Sequence, residues 1–277
     1  MDDDKISRRE FSTKFLGTAL SISFLETLLM GCSGGETLSI AKTNKIVDVK
    51  ASQVLNHWAI ELNNICGDLK ADKISQTIWQ EQIDKLFNRI ELSELLRFID
   101  FERLSDQFSF PNRGVNTKNV MFPKLDGLPD RTVFVKKIFG MQKGRAIVPH
   151  GHTNMASAHL ILSGDLNLKH YDRISEDKTH VIFKPTIDRS LKPGDHSSIS
   201  DERDNIHWFV ATSDSAFSLD VIMLDLGGKE YGIQNLDINE SEKIGDGTYR
   251  AEKIDVDTAL RKYGKDHHQG TMRTLNG

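Results

Sequence analysis

Apolar residues recur every three or four positions in two stretches of the N-terminal half, and this spacing is typical of amphipathic helices. The first set is Val54, Trp58, Leu62, Ile65 and Leu69, and the second is Trp79, Ile83, Leu86 and Ile90. The pattern predicts two or three helices within residues 51–110, which we expect to cover the domain that follows. Serines lie where such helices would begin and are candidate N-caps: Ser52, Ser75 and Ser93.

From residue 111 the pattern changes to short apolar runs between turn-forming residues, which favours strands. Residues 145–148 lie between Gly144 and Pro149, and residues 158–162 and 166–171 are joined by a turn at residues 163–165. We therefore expect a strand-rich domain over residues 111–235. A C-terminal extension and tail would occupy residues 236–277, with a helix predicted at residues 256–263.

Two histidines in this domain are one residue apart. Side chains alternate along a strand, so His150 and His152 would project from the same face and reach one metal ion. A third candidate ligand, His207, follows a turn signature at residues 191–195 and opens the apolar run at residues 208–211. Imidazole is a common ligand of divalent transition metals. The sequence thus predicts a metal site formed by His150, His152 and His207.

The spacing of these residues resembles the two motifs of the cupin superfamily. The matching positions are Gly144, His150, His152, Gly164, Pro193, Gly194, Asp195 and His207. The resemblance implies a mainly β fold, the double-stranded β-helix or jelly-roll barrel, preceded here by covering helices. Many cupins carry a glutamate ligand where this chain has Ser157, so three histidines without a carboxylate remain.

Among cupins, three histidines on Fe(II) are characteristic of thiol dioxygenases, and the chain resembles the group of cysteamine dioxygenases and plant cysteine oxidases. The similarity extends over roughly residues 130–231. The residues that carry it are His150, His152, Met155, Leu162, Gly164, Tyr171 and Asp172, followed by Asn205, Ile206 and His207 and by Leu219, Asp220 and Val221.

This resemblance implies that Fe(II) binds a small-molecule or peptide thiol and dioxygen, and that both oxygen atoms pass to sulfur to give a sulfinic acid. Nickel, zinc or manganese are alternative metals, because imidazole suits several of them. Two other functions stay open: a cupin oxygenase acting on a non-thiol small molecule, and a non-catalytic envelope protein that binds a ligand or a metal.

The same group carries an aspartate and a tyrosine near its site, which here would be Asp220 or Asp225 together with Tyr231. Asp220 fits the sequence context, whereas Asp225 lies six residues before Tyr231 and fits the spacing. The alternative for Asp220 is a solvent-facing strand residue.

His159 follows Ser157 by two residues and would share its inward face. It is either a fourth ligand or a residue that hydrogen-bonds to a ligand or substrate, and we favour the second role. The other histidines are interpreted as ordinary surface or strand residues: His170, His180, His196, His267 and His268.

The N-terminus resembles a twin-arginine lipoprotein signal. Arg8 and Arg9 precede an apolar stretch at residues 15–30, which is shorter than the roughly 20 residues of a membrane span. Cys32 lies where lipidation would follow cleavage. We therefore expect residues 1–31 to be a signal, residues 32–50 a tether, and the protein a periplasmic or cell-envelope lipoprotein that meets the membrane only through its anchor. Cys66 would then be the single cysteine of the mature chain, acting as a small buried apolar residue.

The composition of the chain argues against nucleic acid as a partner. The chain has 36 basic and 40 acidic residues and a formal net charge of -4, so it lacks the positive charge of nucleic-acid-binding domains. The oligomeric state is left open by the sequence.

Overall fold

The computed structural model describes residues 49–265, which form a helical layer followed by two β-sheets. The four N-terminal helices are α1 (Val49–Lys70), α2 (Gln76–Phe87), α3 (Leu92–Phe98) and α4 (Phe101–Ser105). Among the predicted N-caps, Ser75 is confirmed, because its side chain accepts a hydrogen bond from the Ile78 backbone N–H. The structure contradicts the other two. Helix α1 has already begun at Val49, before Ser52. The N-cap position of α3 is Glu91, whose side chain makes no capping hydrogen bond, and not Ser93.

Strands dominate the rest of the chain and precede one further helix, α5 (Val256–Tyr263). The strands are β1 (Asn116–Asn119), β2 (Val135–Gln142), β3 (Ala146–Thr153), β4 (Ala156–Ser163), β5 (Leu166–Glu176), β6 (His180–Leu191), β7 (His196–Ser200), β8 (Ile206–Ala211), β9 (Ser215–Met223), β10 (Gly232–Leu236), β11 (Glu242–Gly245) and β12 (Thr248–Ile254).

The order of the strands in the two sheets defines the fold. One sheet runs β1-β2-β9-β4-β7 and the other β10-β3-β8-β5-β6-β12-β11, with antiparallel pairing. Within strands β2–β9, the first sheet thus holds β2, β9, β4 and β7 and the second holds β3, β8, β5 and β6. This is the jelly-roll order of a double-stranded β-helix. The fold class predicted from the sequence is confirmed.

Turn chemistry helps to fix this topology at the connection between β4 and β5, where the chain passes from the first sheet to the second. Gly164 has a φ of +73°, and a Cβ at this position would lie 2.1 Å from the Ser215 carbonyl oxygen. Only glycine adopts this backbone conformation and approach without strain. The turn predicted at residues 163–165 therefore brings β5 back beside β8.

The N-terminal helices cover the outer face of the first sheet. Their apolar stripes, including Trp58, Leu62 and Ile83, pack in one buried cluster with the alternate β4 and β9 residues Ala158 and Leu219. Burial of this surface is the main force holding the helices to the barrel. Across residues 49–265, none of the helices has the length and apolar character required to cross a bilayer.

The interior of the barrel is apolar at one end and polar at the other. Met141, Ile161, Leu168 and Phe209 belong to a cluster that fills the apolar end. The strand positions nearer the other end carry histidine, serine and aspartate side chains. The candidate site therefore lies at the polar end of the barrel, next to a closely packed apolar cluster.

The C-terminal segment adds more sheet than the sequence predicted. Strands β11 and β12 form a hairpin that extends the second sheet, since β12 pairs with β6, although the charged residues of this hairpin show no clear strand pattern. The helix predicted at residues 256–263 is confirmed as α5. It packs on the outside of the second sheet, where the Tyr263 ring meets the Trp208 ring edge-on at 5.2 Å.

Candidate metal centre

Three histidines converge inside the polar end of the barrel. His150 and His152 lie on β3, and His207 lies directly opposite His150 on β8. One nitrogen from each ring lies within 4.8 Å of the others, and the Nε2 atoms of His150 and His207 are 2.8 Å apart. All three side chains are buried. The structure thus brings together the three residues predicted as metal ligands.

The backbone around His152 is held in place by buried polar contacts. The Asn205 side-chain amide donates hydrogen bonds to the carbonyl oxygens of His152 (2.9 Å) and Ser200 (3.1 Å). The Arg173 guanidinium also donates to the His152 carbonyl oxygen at 3.0 Å. Gly151 permits this approach, because a Cβ there would lie 2.9 Å from the Asn205 Oδ1 atom. Such contacts orient ligand-bearing strands.

The protonation states suit metal binding. The His150 Nδ1–H donates to the Val148 carbonyl oxygen at 2.8 Å, which leaves the Nε2 lone pair for a metal. Burial lowers the pKa of His150 to about 4 and lowers the pKa values of His152 and His207 well below their ordinary value. The three imidazoles are therefore neutral at pH 7, the form in which histidine binds metals.

The residues present fit a divalent transition ion. Within residues 49–265, the Nδ1 atom of His152 and the Nδ1 atom of His207 have no hydrogen-bond partner, and the two facing Nε2 atoms carry at most one shared proton. Three neutral nitrogen donors at this separation are a favourable set for iron, nickel, zinc or manganese. No carboxylate belongs to the group in this part of the chain.

His159 lies beside the three histidines and belongs to a hydrogen-bonded chain. Its Nδ1 atom is 2.8 Å from Asp220 Oδ2, and its Nε2 atom is 3.2 Å from the Ser157 Oγ atom. Its ring centroid is 5.1 Å from that of His207. Both nitrogens of His159 are thus engaged, which agrees better with the hydrogen-bonding role than with a fourth ligand. Its part in catalysis stays a prediction.

Asp220 is a buried residue of the inner face. Its carboxylate accepts a hydrogen bond from Ser218 at 2.6 Å in addition to its contact with His159. Its exposed fraction is 1%, so the interpretation of Asp220 as a solvent-facing strand residue is wrong. Lys137 lies opposite Asp220 in the β2–β9 register and is also buried, and burial lowers the pKa of its ammonium group.

Asp225 and Tyr231 contact each other at the start of β10. The Asp225 carboxylate accepts a hydrogen bond from the Tyr231 backbone N–H at 3.0 Å, and the Asp225 carbonyl oxygen accepts one from Lys70 Nζ at 2.8 Å. These contacts close the loop that brings β10 alongside β3. Of the two aspartates suggested by the sequence, Asp220 is the one in hydrogen-bond contact with His159.

His170 was interpreted as an ordinary strand or surface histidine, and the structure places it in the interior. It is fully buried on β5, directly opposite His207 in the β5–β8 register. The signal that could have located it is its spacing from Leu168, which lies on the inner face two residues earlier. Sequence alone could not supply the register against β8.

No protein-family model matches the chain, and neither does any curated protein. Several solved structures are similar to it. KdgF from Halomonas sp. is 16% identical, with a TM-score of 0.29 over 39% of this chain and 77% of that one. A cupin superfamily protein from Desulfitobacterium hafniense is 14% identical, with a TM-score of 0.28 over 43% of this chain and 84% of that one. An oxalate oxidase is 14% identical, with a TM-score of 0.32 over 44% of this chain and 55% of that one.

The strand order of the two sheets, rather than these similarities, identifies the jelly roll. The chemistry of the site follows from its own residues. A buried group of three neutral imidazoles can hold one divalent ion, and His159, hydrogen-bonded to Asp220 and Ser157, lies beside that group.

Proposed function

We propose that the protein is a metal-dependent dioxygenase, with Fe(II) as its metal, that oxidises a thiol to a sulfinic acid. The observation that carries this proposal is the convergence of His150, His152 and His207. Among the described residues, no carboxylate belongs to this group. The resemblance to the cysteamine dioxygenase and plant cysteine oxidase group supplies the reaction.

The charge of the ligand set supports an anionic substrate. Three neutral imidazoles leave the full double positive charge of a divalent ion, whereas a carboxylate ligand would cancel half of it. Bound Fe(II) would supply positions for a thiolate and for dioxygen. A site of this charge in a buried setting lowers the pKa of a bound thiol and favours the thiolate.

The overall reaction is balanced without a further reductant. The thiol RSH and one dioxygen molecule give RSO₂H, with two new sulfur–oxygen bonds. Sulfur loses four electrons and dioxygen gains four. The chain's contribution is to hold the three imidazoles neutral and to present the hydrogen-bonded pair of His159 and Asp220 beside them. Tyr231, whose backbone is held by Asp225, is a further candidate at the start of β10.

The test is dioxygen consumption by the iron-loaded protein with cysteamine, cysteine or a peptide that begins with cysteine. We expect uptake with at least one thiol and a product 32 mass units heavier, with both added atoms derived from labelled dioxygen. His207→Ala should abolish iron binding and uptake, and His180→Ala, on β6, should change neither. Absence of uptake with every thiol by a sample that holds one iron per chain would refute the proposal.

The alternatives give different results. A cupin oxygenase for a non-thiol substrate would bind iron without thiol-dependent uptake. A structural barrel would hold well below one metal per chain, and His207→Ala would leave that content unchanged.

We propose further that the protein is exported by the twin-arginine route and anchored through Cys32, as its N-terminal sequence suggests. Cys32→Ala should release the protein from membranes in cell fractionation, and Arg8→Lys with Arg9→Lys should retain the precursor in the cytoplasm. Membrane association that survives Cys32→Ala would contradict the lipid anchor.

A further inference from the structure

His170 is a buried histidine whose ring nitrogens form no hydrogen bond with the described part of the chain. It is fully buried, and neither of its ring nitrogens has a hydrogen-bond partner within residues 49–265. Buried polar atoms in folded proteins nearly always have a partner, which is either protein, ordered water or a ligand. The two unpartnered nitrogens of His170 therefore point to a bound group outside residues 49–265.

The position of His170 places its ring beside the metal centre. His207 lies between His150 on β3 and His170 on β5, each directly opposite it in the strand register. The His170 ring centroid is 6.3 Å from that of His207 and 6.4 Å from that of Phe209. His170 is outside the group of three ligand nitrogens, yet it faces the same interior.

Asp204 determines which hydrogen-bonding group the His170 ring presents to a ligand. An Asp204 carboxylate oxygen lies 4.0 Å from the His170 Nδ1 atom, and its other oxygen accepts a hydrogen bond from Thr186 at 2.5 Å. The imidazole is fully buried, and its nearest carboxylate lies on the Nδ1 side beyond hydrogen-bond distance. That carboxylate favours the neutral tautomer with the proton on Nδ1. The Nε2 atom then carries a lone pair and is a hydrogen-bond acceptor.

We propose that His170 is a specificity-determining residue, which accepts a hydrogen bond from an N–H or O–H group of the ligand held at the three-histidine centre. This inference rests on the proposed function, because the ligand is taken to be a thiol bound through sulfur. It selects thiols that carry a donor group close to the sulfur over thiols that carry only hydrocarbon. A site with an unpaired buried acceptor discriminates against a ligand that cannot pair with it.

A binding experiment without turnover tests the inference. The full-length protein is loaded with Co(II) and titrated anaerobically with cysteamine and with ethanethiol, and the thiolate-to-metal charge-transfer absorption reports occupancy. We expect the wild-type protein to bind cysteamine at least tenfold more tightly than ethanethiol when both affinities are calculated for the thiolate form, which removes the effect of the lower thiol pKa of cysteamine.

The variants separate a ligand-binding role from a packing role. His170→Leu should reduce the preference to less than threefold and should leave the Co(II) absorption of the ligand-free protein unchanged. Its urea midpoint should equal or exceed that of the wild type, because an unpaired buried polar group is removed. His170→Gln, which keeps an acceptor, should restore part of the preference. His180→Leu is the matched control and should keep all of it.

Each outcome of these titrations either supports or overturns the inference. Equal affinities for the two thiols in the wild type, or a preference that persists in His170→Leu, would overturn the inference while leaving thiol binding intact. Absence of a thiolate band with either thiol would overturn the proposed function and this inference together. Where His170→Leu fails to fold, equal thiolate affinities in the wild type would still overturn the inference.

Discussion

Substitution of Asn205 is the most direct test of the hydrogen bonds that hold the backbone at the candidate metal centre. Its side-chain amide donates to the carbonyl oxygens of His152 and Ser200, and its exposed fraction is 1%. Asn205→Ala removes these two hydrogen bonds and a longer contact of 3.5 Å to the Asp201 carboxylate, and it leaves the three histidine rings unchanged. We expect a loss of metal affinity and a moderate loss of stability.

The magnitudes follow from the contacts. Each hydrogen bond contributes about 1 kcal/mol to the free energy of unfolding. Two factors reduce the total: Arg173 still donates to the His152 carbonyl oxygen, and the Asn205 Oδ1 atom has no partner among residues 49–265, so its removal relieves a cost. The net loss should be about 1–2 kcal/mol. Loss of a contact that orients a ligand typically weakens metal binding by about 10–100-fold.

The assay is a competition titration of Zn(II) against a chromophoric chelator, together with urea unfolding of the metal-free protein. Asn112→Ala, at an exposed loop position, is the control and should match the wild type in both measurements. A folded Asn205→Ala protein that binds Zn(II) within twofold of the wild type would refute the view that this amide positions His152.

Three further predictions follow from buried contacts. Gly151→Ala should destabilise the protein by about 1–3 kcal/mol through overpacking, since its Cβ would lie 2.9 Å from Asn205 Oδ1, and adding Asn205→Ala should recover part of that loss in urea unfolding. Asp220→Asn should keep the metal, measured by elemental analysis, but lower the free energy of unfolding by about 1 kcal/mol, because the amide oxygen offers His159 a neutral hydrogen bond in place of the charge-assisted one; an unchanged urea midpoint would contradict this. Burial raises the pKa of the Cys66 thiol to about 12, so about one thiol in ten thousand is ionised at pH 8, and peptide mapping should find Cys66 alkylated by iodoacetamide only after denaturation; rapid alkylation of the native protein would show that the thiol is accessible.

The sequence determined the features that depend on local geometry. Strand alternation placed His150 and His152 on one face, and the apolar period of residues 54–90 gave the covering helices because a helix must bury its apolar stripe. The turn at Gly164 was also predictable, since its left-handed backbone favours glycine.

The tertiary structure decided the features that depend on pairing between distant segments. Strand register cannot be read from one strand, and it brought His207 opposite His150, turned Asp220 inward to His159, and aligned His170 with His207. Strand register also joined the charged β11–β12 hairpin to the second sheet, because the backbone of β12 pairs with that of β6 and this pairing does not require an apolar pattern. Sequence spacing therefore identified the three candidate ligands, whereas only the register of the sheets revealed which further polar side chains surround them.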